Sequence, residues 1–402
     1  MLVSRLGPLV FRAPRTCFRR VLDRNSTKVK FYSTGNTKPA ASILKLGAIG
    51  VAVGAAVGTA YSLYSASGGK TDHKKHERKL PAVIGKRPDI KIAKRIISPT
   101  DKSGLDLVLF QFQTCPFCCK VRAFLDYHGL SYSIVEVDAV LRQDLRWSDY
   151  RKVPILLAKR KDGKYVQLTD SSAIVSVLAS YLHDPSQDIG ELANFYPTIS
   201  FFDDSGAKKE EVMNKYFIMY QEKVPENFTG KTTRDERKWR SWADDELVHL
   251  ISPNVYRTRK EAFETFEWFS EAGEWSVLFP QWERNMMVYI GAYAMWLISK
   301  RLKKKYGLTD DVRSHIYDSL GKLTSELKMR GTKYLGGDRP NLADLSIFGI
   351  LCSMEGCSAF KECLQNTDIG PWFNGIKELT VKSKGHAVIN EALLRNMQHN
   401  IT

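Results

Sequence analysis

The 402-residue sequence has few cysteines, and they do not form a disulfide framework. Seven are present, three of them at positions 115, 118 and 119, whereas small disulfide-held scaffolds are far richer in cysteine. No second Cys-x-x-Cys or Cys/His pair follows Cys115 and Cys118 at metal-ligand spacing, which argues against a zinc site. The motif therefore indicates thiol chemistry, with two buried core cysteines as the alternative.

Excess charge is absent from most of the chain, although the net charge is +16. Residues 1–95 hold 20 Lys/Arg and 4 Asp/Glu, which leaves 40 basic and 40 acidic side chains in the other 307 residues. A protein that follows nucleic-acid phosphates needs a basic field on its folded part. We therefore expect no nucleic-acid partner.

The N-terminal segment predicts a targeting sequence followed by a membrane anchor. Residues 1–38 are rich in arginine and contain one acid, Asp23, which is typical of a mitochondrial presequence. Residues 43–66 are predicted as a single transmembrane helix, since the 19 residues from Leu46 to Tyr64 carry no charge. A Gly/Ala-rich linker is the alternative. Residues 67–104 are predicted as a basic linker.

Residues 105–183 alternate between strand and helix patterns. Strands are predicted at Leu107–Phe112, Tyr132–Val137 and Val153–Leu157, with a hairpin turn at Lys161–Lys164. One helix follows the first strand, and another begins at Asp170. This order predicts an α/β thioredoxin-like domain, whose sheet has a parallel first pair and an antiparallel second pair.

The remaining sequence predicts a connector and a helical domain. Residues 184–233 contain three prolines and a possible hairpin, and their role is open. Residues 234–395 are predicted as an all-α domain, with helices at 235–251, 260–272, 282–305, 309–329 and 341–355. Asn341 is predicted to cap the fifth helix, with Asp344 completing a variant of the capping box.

The Cys115–Cys118 motif lies between a predicted buried strand and a helix. Cys115 is therefore expected at a helix N-terminus, where free N–H groups and the helix dipole stabilise a thiolate. We expect its pKa to lie below that of a free cysteine. Cys118, one turn further along, is more often buried than reactive in such helices and is treated as a secondary thiol.

Two further motifs suit a small peptide ligand. In a thioredoxin-like sheet the Val153–Pro154 bond is typically cis, so that an extended peptide such as glutathione pairs with the Val153 backbone. The Ser171 N–H and hydroxyl suit a carboxylate, and Asp170 suits an ammonium group, as at the γ-glutamyl end of glutathione. The alternatives are an ordinary edge-strand proline and a simple helix cap.

This combination resembles the glutathione transferase fold, with a glutaredoxin-like Cys-Pro-Phe-Cys in the first domain and a Gly336–Asp344 capping motif in the second. More closely, the chain resembles the family of membrane-associated prostaglandin E synthases of type 2. The matching runs are Thr114–Cys118, Lys120–Asp126, Tyr150–Leu156, Asp170–Ser172, Trp242–Asp245, His249–Arg257, Ile298–Leu302 and Pro340–Leu345.

The resemblance implies isomerisation of prostaglandin H2 to prostaglandin E2, with Cys115 as the essential thiol. It implies glutathione contacts at Val153, Asp170 and Ser171, and a homodimer. It also implies a glutathione–heme complex that breaks the endoperoxide into hydroxy-heptadecatrienoic acid and malondialdehyde. The family usually has a tyrosine where this sequence has Phe112, so the thiol must be tuned by the helix end and other N–H groups.

Further contacts and alternative functions stay open at this point. His249 and Arg301 are candidate contacts for heme or substrate, although a structural histidine and a solvated helix face explain them as well. A glutaredoxin-like thiol–disulfide oxidoreductase and a non-catalytic glutathione/heme-binding module are the alternative functions. The resemblance implies a single-pass Golgi membrane form and a processed soluble cytoplasmic form, whereas the arginine-rich N-terminus favours a mitochondrial membrane.

Overall fold

The computed structural model describes residues 77–203, 206–219, 230–383 and 387–390. The predicted targeting segment and transmembrane helix, at 1–38 and 43–66, lie outside these ranges. Among the residues described, no helix combines the length and the hydropathy needed to cross a membrane.

The secondary structure begins with short strands and ends with a succession of helices. The strands are β1 (Glu77–Lys79), β2 (Val83–Ile84), β3 (Lys94–Ile97), β4 (Leu107–Gln111), β5 (Tyr132–Glu136), β6 (Ile155–Lys159), β7 (Tyr165–Thr169), β8 (Thr198–Phe202), β9 (Lys208–Val212) and β10 (Ala387–Asn390). The helices are α1 (Pro116–Tyr127), α2 (Ser171–His183), α3 (Ile189–Ala193), α4 (Gly230–Trp242), α5 (Val248–Val255), α6 (Arg259–Ala272), α7 (Trp275–Leu278), α8 (Gln281–Lys305), α9 (Val312–Arg330), α10 (Leu342–Cys352), α11 (Ser358–Asn366) and α12 (Ile369–Ser383). A π-helical turn, Ala243–Leu247, joins α4 to α5.

Within the described residues, one sheet has the strand order β10-β3-β5-β4-β6-β7-β2. Only β4 and β5 run parallel, and every other neighbouring pair is antiparallel. All five residues of β4 are buried, which explains its near-continuous apolar sequence. The predicted thioredoxin-like arrangement is therefore present at the centre of this sheet.

The register of the central strands brings three motifs to one end of the sheet. Phe110 of β4 pairs with Ile155 of β6, and Ile155 pairs with Thr169 of β7. Since β6 is antiparallel to both β4 and β7, its first residue lies beside the C-terminal ends of these two strands. The Cys-x-x-Cys turn after β4, Pro154 before β6 and Asp170 after β7 therefore meet there.

Two predicted segments need correction because they contribute strands. The basic linker predicted at 67–104 contains β1, β2 and β3, and β3 pairs with β5. The domain predicted as all-α at 234–395 includes β10, which pairs antiparallel with β3. An added strand satisfies the hydrogen-bonding groups of the β3 edge. Strands of two to four residues are too short to show a periodic pattern in the sequence.

The connector predicted at 184–233 contains α3 and a β8–β9 hairpin. β8 also pairs with β1, so these strands form a separate three-stranded sheet with the order β1-β8-β9. Gly206, with φ +78°, lies in the hairpin turn, where a positive φ favours glycine. The hairpin leads into residues 213–219, which pass along α2.

The thiol helix α1 lies directly against α10 of the helical half. A Cβ atom placed on Gly349 would lie only 2.4 Å from the Lys120 Cα atom. Nearby, Asn341 and Asp344 form the capping box predicted for the N-terminus of α10. Because α1 carries Cys115 at its start, the contact with α10 fixes where the thiol lies relative to the helical half.

The Gly349–Lys120 contact predicts a position-specific effect of alanine. Gly349→Ala should lower the free energy of unfolding by about 1–3 kcal/mol, because its methyl group overlaps the α1 backbone. The control is Gly321→Ala in α9, where a Cβ meets nothing within 4 Å. That change should stabilise the helix by about 0.5–1 kcal/mol. Denaturant unfolding measures both, and equal effects would contradict the close contact.

Candidate functional site

Cys115 is the N-cap residue of α1, with φ −72° and ψ 125°, and Pro116 occupies the first helical turn. A proline is well suited to this turn because its missing N–H would have no intrahelical acceptor. The Cys115 N–H donates to the Phe112 carbonyl at 3.1 Å, which closes the turn after β4. The sulfur is thereby held at the end of the helix where N–H groups point outward.

The electrostatics of the thiol pair separate the two cysteines. A hydrogen bond from the Cys118 thiol, together with the N–H groups of Cys118 and Phe117, holds the pKa of Cys115 below its usual value, although burial opposes it. Burial raises the pKa of Cys118 well above normal. Of the two thiols, Cys115 is therefore the one more easily ionised, and Cys118 is its hydrogen-bond donor. The predicted lowering of the Cys115 pKa is confirmed. The Cys118 thiol supplies a hydrogen bond to Cys115, which the side chain of Phe112 cannot donate.

The thiol lies below the protein surface. Cys115 is only 3% exposed, whereas its neighbours Pro116, Phe117 and Val153 are half-buried. The Val153–Pro154 peptide bond is cis, as the sequence predicts, and β6 begins only at Ile155. Val153 and Pro154 thus precede the strand ladder at the end of the sheet where Cys115 lies.

Asp170 and Ser171 form the start of α2. The Asp170 carboxylate accepts the N–H groups of Ser172 and Ala173 at 2.9 and 3.1 Å, so it caps the helix. Both bonds end on Oδ1, so neither capping bond uses Oδ2. Asp170 has φ +66°, a strained value for a residue with a side chain, and such strain is concentrated at functional sites. Ser171 occupies the first helical position, where the backbone N–H has no intrahelical acceptor.

A buried charge cluster that the sequence did not reveal lies beneath these two helix starts. Lys120 of α1 is 1% exposed and donates to Asp244 at 2.5 Å and to Ser172 at 2.8 Å. Ser172 and Tyr216 both donate to the second Asp244 oxygen, at 2.6 and 3.1 Å. Burial opposes ionisation, yet Lys120 and these hydroxyls hold the pKa of Asp244 below normal. Asp244 lies in the π-helical turn, an irregularity often found at functional sites.

Tyr150 is a second residue that sequence reasoning missed. Burial, followed by the electrostatic influence of Asp170 and of the two thiols, raises the pKa of its hydroxyl. The tyrosine therefore remains protonated and lies within electrostatic reach of both the thiol and the helix cap. Its only signal in the sequence was its position shortly before Val153-Pro154.

The two candidate contacts from the helical half have different surroundings. His249 stacks on Tyr306 with ring centroids 4.4 Å apart, and its buried Nδ1 has no hydrogen-bond partner among the described residues. Burial lowers the pKa of His249. The buried Trp242 Nε1 atom also lacks a partner in this part of the chain. Arg301 is exposed on α8, so its predicted ligand contact stays a prediction.

A polar cluster lies behind the thiol helix. Arg122 donates to Cys119 Sγ at 3.1 Å and to Gln111 at 2.5 Å. Glu136 accepts the N–H of Gln113 at 2.5 Å and the Gln111 amide at 2.9 Å. Burial raises the pKa of Glu136 to about 7 and that of Cys119 to about 11. Cys119 is therefore a protonated structural thiol at neutral pH.

A cavity of about 980 Å³ lies elsewhere, between α9, Tyr334 and α12, and none of the predicted site residues lines it. Within the described ranges, no group of three or more His, Cys, Asp or Glu side chains is arranged to hold a metal ion. The chemistry of the site therefore rests on the thiol and on the polar groups around it.

The sheet order, the Cys-x-x-Cys at the start of α1 and the cis-proline facing it define a glutaredoxin-like thiol domain joined to a helical domain. A family model described as Glutaredoxin matches residues 107–166. The solved glutathione transferase GSTFuA3 from Phanerochaete chrysosporium is 15% identical with a TM-score of 0.42, and covers 69% of this chain and 96% of its own. Apo glutathione S-transferase III is also 15% identical, with a TM-score of 0.39 and coverages of 69% and 95%. Neither structural match is close enough to carry a functional inference.

Curated relatives extend across both halves of the molecule. Prostaglandin E synthase 2 from Danio rerio is 44% identical over 287 residues, 70% of this chain and 74% of that protein. Prostaglandin E synthase 2 from Mus musculus is 45% identical over 273 residues, 67% and 69% of the two chains. The chain therefore belongs to the prostaglandin E synthase 2 family, and it is an enzyme of the isomerase class.

The Cys118 hydrogen bond predicts a measurable change in Cys115. Cys118→Ala removes the donor that most lowers the Cys115 pKa, so the pH profile of Cys115 alkylation should move to higher pH. Site-resolved mass spectrometry after iodoacetamide treatment measures this profile. Cys119→Ala, which removes a thiol hydrogen-bonded to Arg122 and Gln113, is the control and should leave it nearly unchanged. An identical shift in both variants would contradict the assignment of the donor.

Glu136 predicts a pH-dependent stability. Its folded pKa of about 7 is above the ordinary 4.5, so the folded state binds the proton more tightly than the unfolded chain. Protonated Glu136 adds on the order of 2 kcal/mol to the free energy of unfolding. This stabilisation is fully present below pH 4.5 and is lost as the pH rises through 7. Glu136→Gln should flatten the fall in unfolding free energy between pH 5 and 8. An unchanged slope would contradict the raised pKa.

Proposed function

We propose that this enzyme isomerises prostaglandin H2 to prostaglandin E2 with the thiolate of Cys115, and that glutathione binds beside it. The observation that carries the proposal is the lowered Cys115 pKa at a helix N-terminus that faces the cis-proline and the start of α2. Membership of the prostaglandin E synthase 2 family supplies the substrate.

The isomerisation needs a base and no external reductant. The Cys115 thiolate takes the hydrogen of carbon 9 as a proton, and the electron pair of that C–H bond forms the carbonyl as the O–O bond breaks. The oxygen on carbon 11 gains a proton and becomes a hydroxyl. In a second route, sulfur attacks the oxygen at carbon 9 and breaks the O–O bond, whose electron pair goes to the oxygen on carbon 11, which is then protonated. A base removes the hydrogen of carbon 9 as a proton, the electron pair of that C–H bond forms the carbonyl, and the S–O bond breaks to return the thiolate. Both routes conserve all atoms and electrons, since the product is an isomer.

Glutathione fits the polar groups around the thiol. Its cysteinyl backbone pairs with the backbone of Val153, which precedes the β6 ladder. Its γ-glutamyl carboxylate accepts from the Ser171 N–H and hydroxyl at the start of α2, and its ammonium group contacts Asp170. Tyr150, held protonated, is a further donor at this end of the sheet.

Access to the sulfur requires local movement. Because Cys115 is 3% exposed, the half-buried side chains of Phe117 and Val153 must shift for an endoperoxide to reach it. If opening limits access, Cys115 should be alkylated more slowly than an exposed thiol of the same pKa. Substrate binding on the helical side brings the endoperoxide between α1 and the residues around His249.

Heme is a second group proposed for this site. The buried Trp242 Nε1, His249 Nδ1 and Tyr306 hydroxyl, unpartnered among the described residues, fit a polar ligand group bound at the helical half. His249 and the exposed Arg301 are the side chains that would contact it. Heme bound with glutathione would supply iron chemistry and direct the endoperoxide towards hydroxy-heptadecatrienoic acid and malondialdehyde. A Soret band that needs both additives tests this proposal.

The remaining assignments concern location and assembly. We propose one N-terminal membrane-spanning helix at 43–66, a Golgi membrane form with a processed soluble cytoplasmic form, and a homodimer formed through the helical half. The arginine-rich residues 1–38 support the mitochondrial alternative. Subcellular fractionation of the full chain distinguishes the two membranes.

The central test is the loss of one sulfur atom. In the full chain offered prostaglandin H2, Cys115→Ser should lower prostaglandin E2 formation by at least about 100-fold, because serine is not ionised at neutral pH. Product analysis by mass spectrometry measures the yield. Cys352→Ser, at a partly exposed cysteine on α10, is the matched control and should retain activity. Full activity of Cys115→Ser would refute the mechanism.

Disulfide reduction that requires Cys118 would instead favour the oxidoreductase, and glutathione and heme binding without turnover would favour the binding module.

A further inference from the structure

Three buried serines on α2 lie four residues apart. Ser172, Ser176 and Ser180 are 1%, 0% and 1% exposed on an otherwise apolar helix. Residues at i, i+4 and i+8 share one helix face, so these hydroxyls form a polar stripe inside the protein. A buried hydroxyl requires a hydrogen-bond partner, and the stripe finds its partners outside the thioredoxin-like sheet.

Two of the partners belong to residues 213–219, named here the strap. The Ser176 hydroxyl donates to the Lys215 carbonyl at 2.6 Å, and the Met219 N–H donates to Ser180 at 2.8 Å. Tyr216 meets Ser172 at the shared Asp244 oxygen. The strap therefore runs along α2, with Met219 at the far end and Tyr216 near the start of the helix.

Further hydrogen bonds hold the strap in place. Arg240, which is fully buried, donates to the carbonyls of Lys215 and Tyr216 at 3.3 and 3.2 Å. The Tyr196 hydroxyl donates to the Phe217 carbonyl at 2.7 Å. The Lys215 ammonium group lies over the Tyr216 ring, 5.3 Å from its centroid, and the Tyr216 hydroxyl shares an Asp244 oxygen with Ser172 near the start of α2.

The Lys215 ammonium group pairs with one carboxylate and feels the charge of a second. It pairs with Glu211 at 3.3 Å, and its side chain is 21% exposed, against 52% for Glu211. Burial opposes its charge, but Asp170 and then Glu211 raise the pKa of Lys215. No direct ion pair joins Lys215 to Asp170 in the described part of the chain, although the Asp170 charge is near enough to act on the Lys215 pKa.

We infer that Lys215 is a specificity residue of the glutathione site and pairs with the α-carboxylate of the γ-glutamyl group. This inference rests on the proposed glutathione site. A γ-glutamyl end carries an ammonium and a carboxylate on one carbon, so it fits between an anion and a cation. The ammonium contacts Asp170, and the carboxylate lies between the Ser171 N–H and Lys215. The connector of unassigned role thereby provides one wall of the site.

The inference is tested by removing one charge from the protein and one from the ligand. Titration calorimetry with the full chain compares glutathione with γ-aminobutyryl-cysteinylglycine, which lacks the α-carboxylate. The unmodified protein should bind glutathione at least about tenfold more tightly. Lys215→Gln should weaken glutathione binding about tenfold, leave the analogue nearly unchanged and so remove the discrimination. Lys215→Arg should retain most of the preference for glutathione over the analogue.

The matched control is Lys208→Gln on β9, the strand that leads into the strap, where the side chain is 54% exposed. It should keep the discrimination, and thermal unfolding should show that every variant is folded. If Lys215→Gln weakens both ligands equally, or leaves glutathione affinity unchanged, the role of Lys215 is refuted while the glutathione site stands. If the unmodified protein does not bind glutathione, the proposed site and this inference both fail.

Discussion

The buried ion pair between Lys120 and Asp244 is the interaction on which the site depends most. Lys120 lies two residues beyond the Cys-x-x-Cys motif on α1, Ser172 lies at the start of α2, and Asp244 lies in the helical half. A charge removed from water is tolerated only with partners, and leaving one partner alone typically costs about 3–5 kcal/mol. The three elements are therefore constrained to keep one relative position, which also fixes the sulfur and the helix start facing it.

Around this ion pair, local hydrogen-bond donors lower the pKa of the Cys115 thiol, whereas burial raises it. Burial alone raises the pKa of a thiol, as it does for Cys118 and Cys119. Cys115 differs because it lies at the helix end, where N–H groups and the Cys118 thiol point at its sulfur. The site thus lowers the pKa of a buried thiol with local hydrogen-bond donors, and no metal-binding cluster is found among the described residues.

Much of the fold could be predicted from the sequence, because long periodic segments and strong motifs indicate where the main helices, strands and turns lie. The Cys115 turn, the Val153-Pro154 dipeptide, the Asp170 helix start and the Asn341 capping box all lie where their local patterns placed them. Short strands could not be predicted, since β3 and β10 acquire their structure from the sheet edge they share. The Lys120 cluster was missed because its members are distant along the chain.

By itself, the sequence determined which residue types occupy each turn and helix start, since local sterics and hydrogen bonding act over a few residues. It thereby determined that Cys115, Val153 and Asp170 would gather at one end of a thioredoxin-like sheet. Only the tertiary structure decided which charges face one another across the two halves. Lys120 meets Asp244 over 124 positions, and the strap docks on the serine stripe, because packing and desolvation select partners that chain distance conceals.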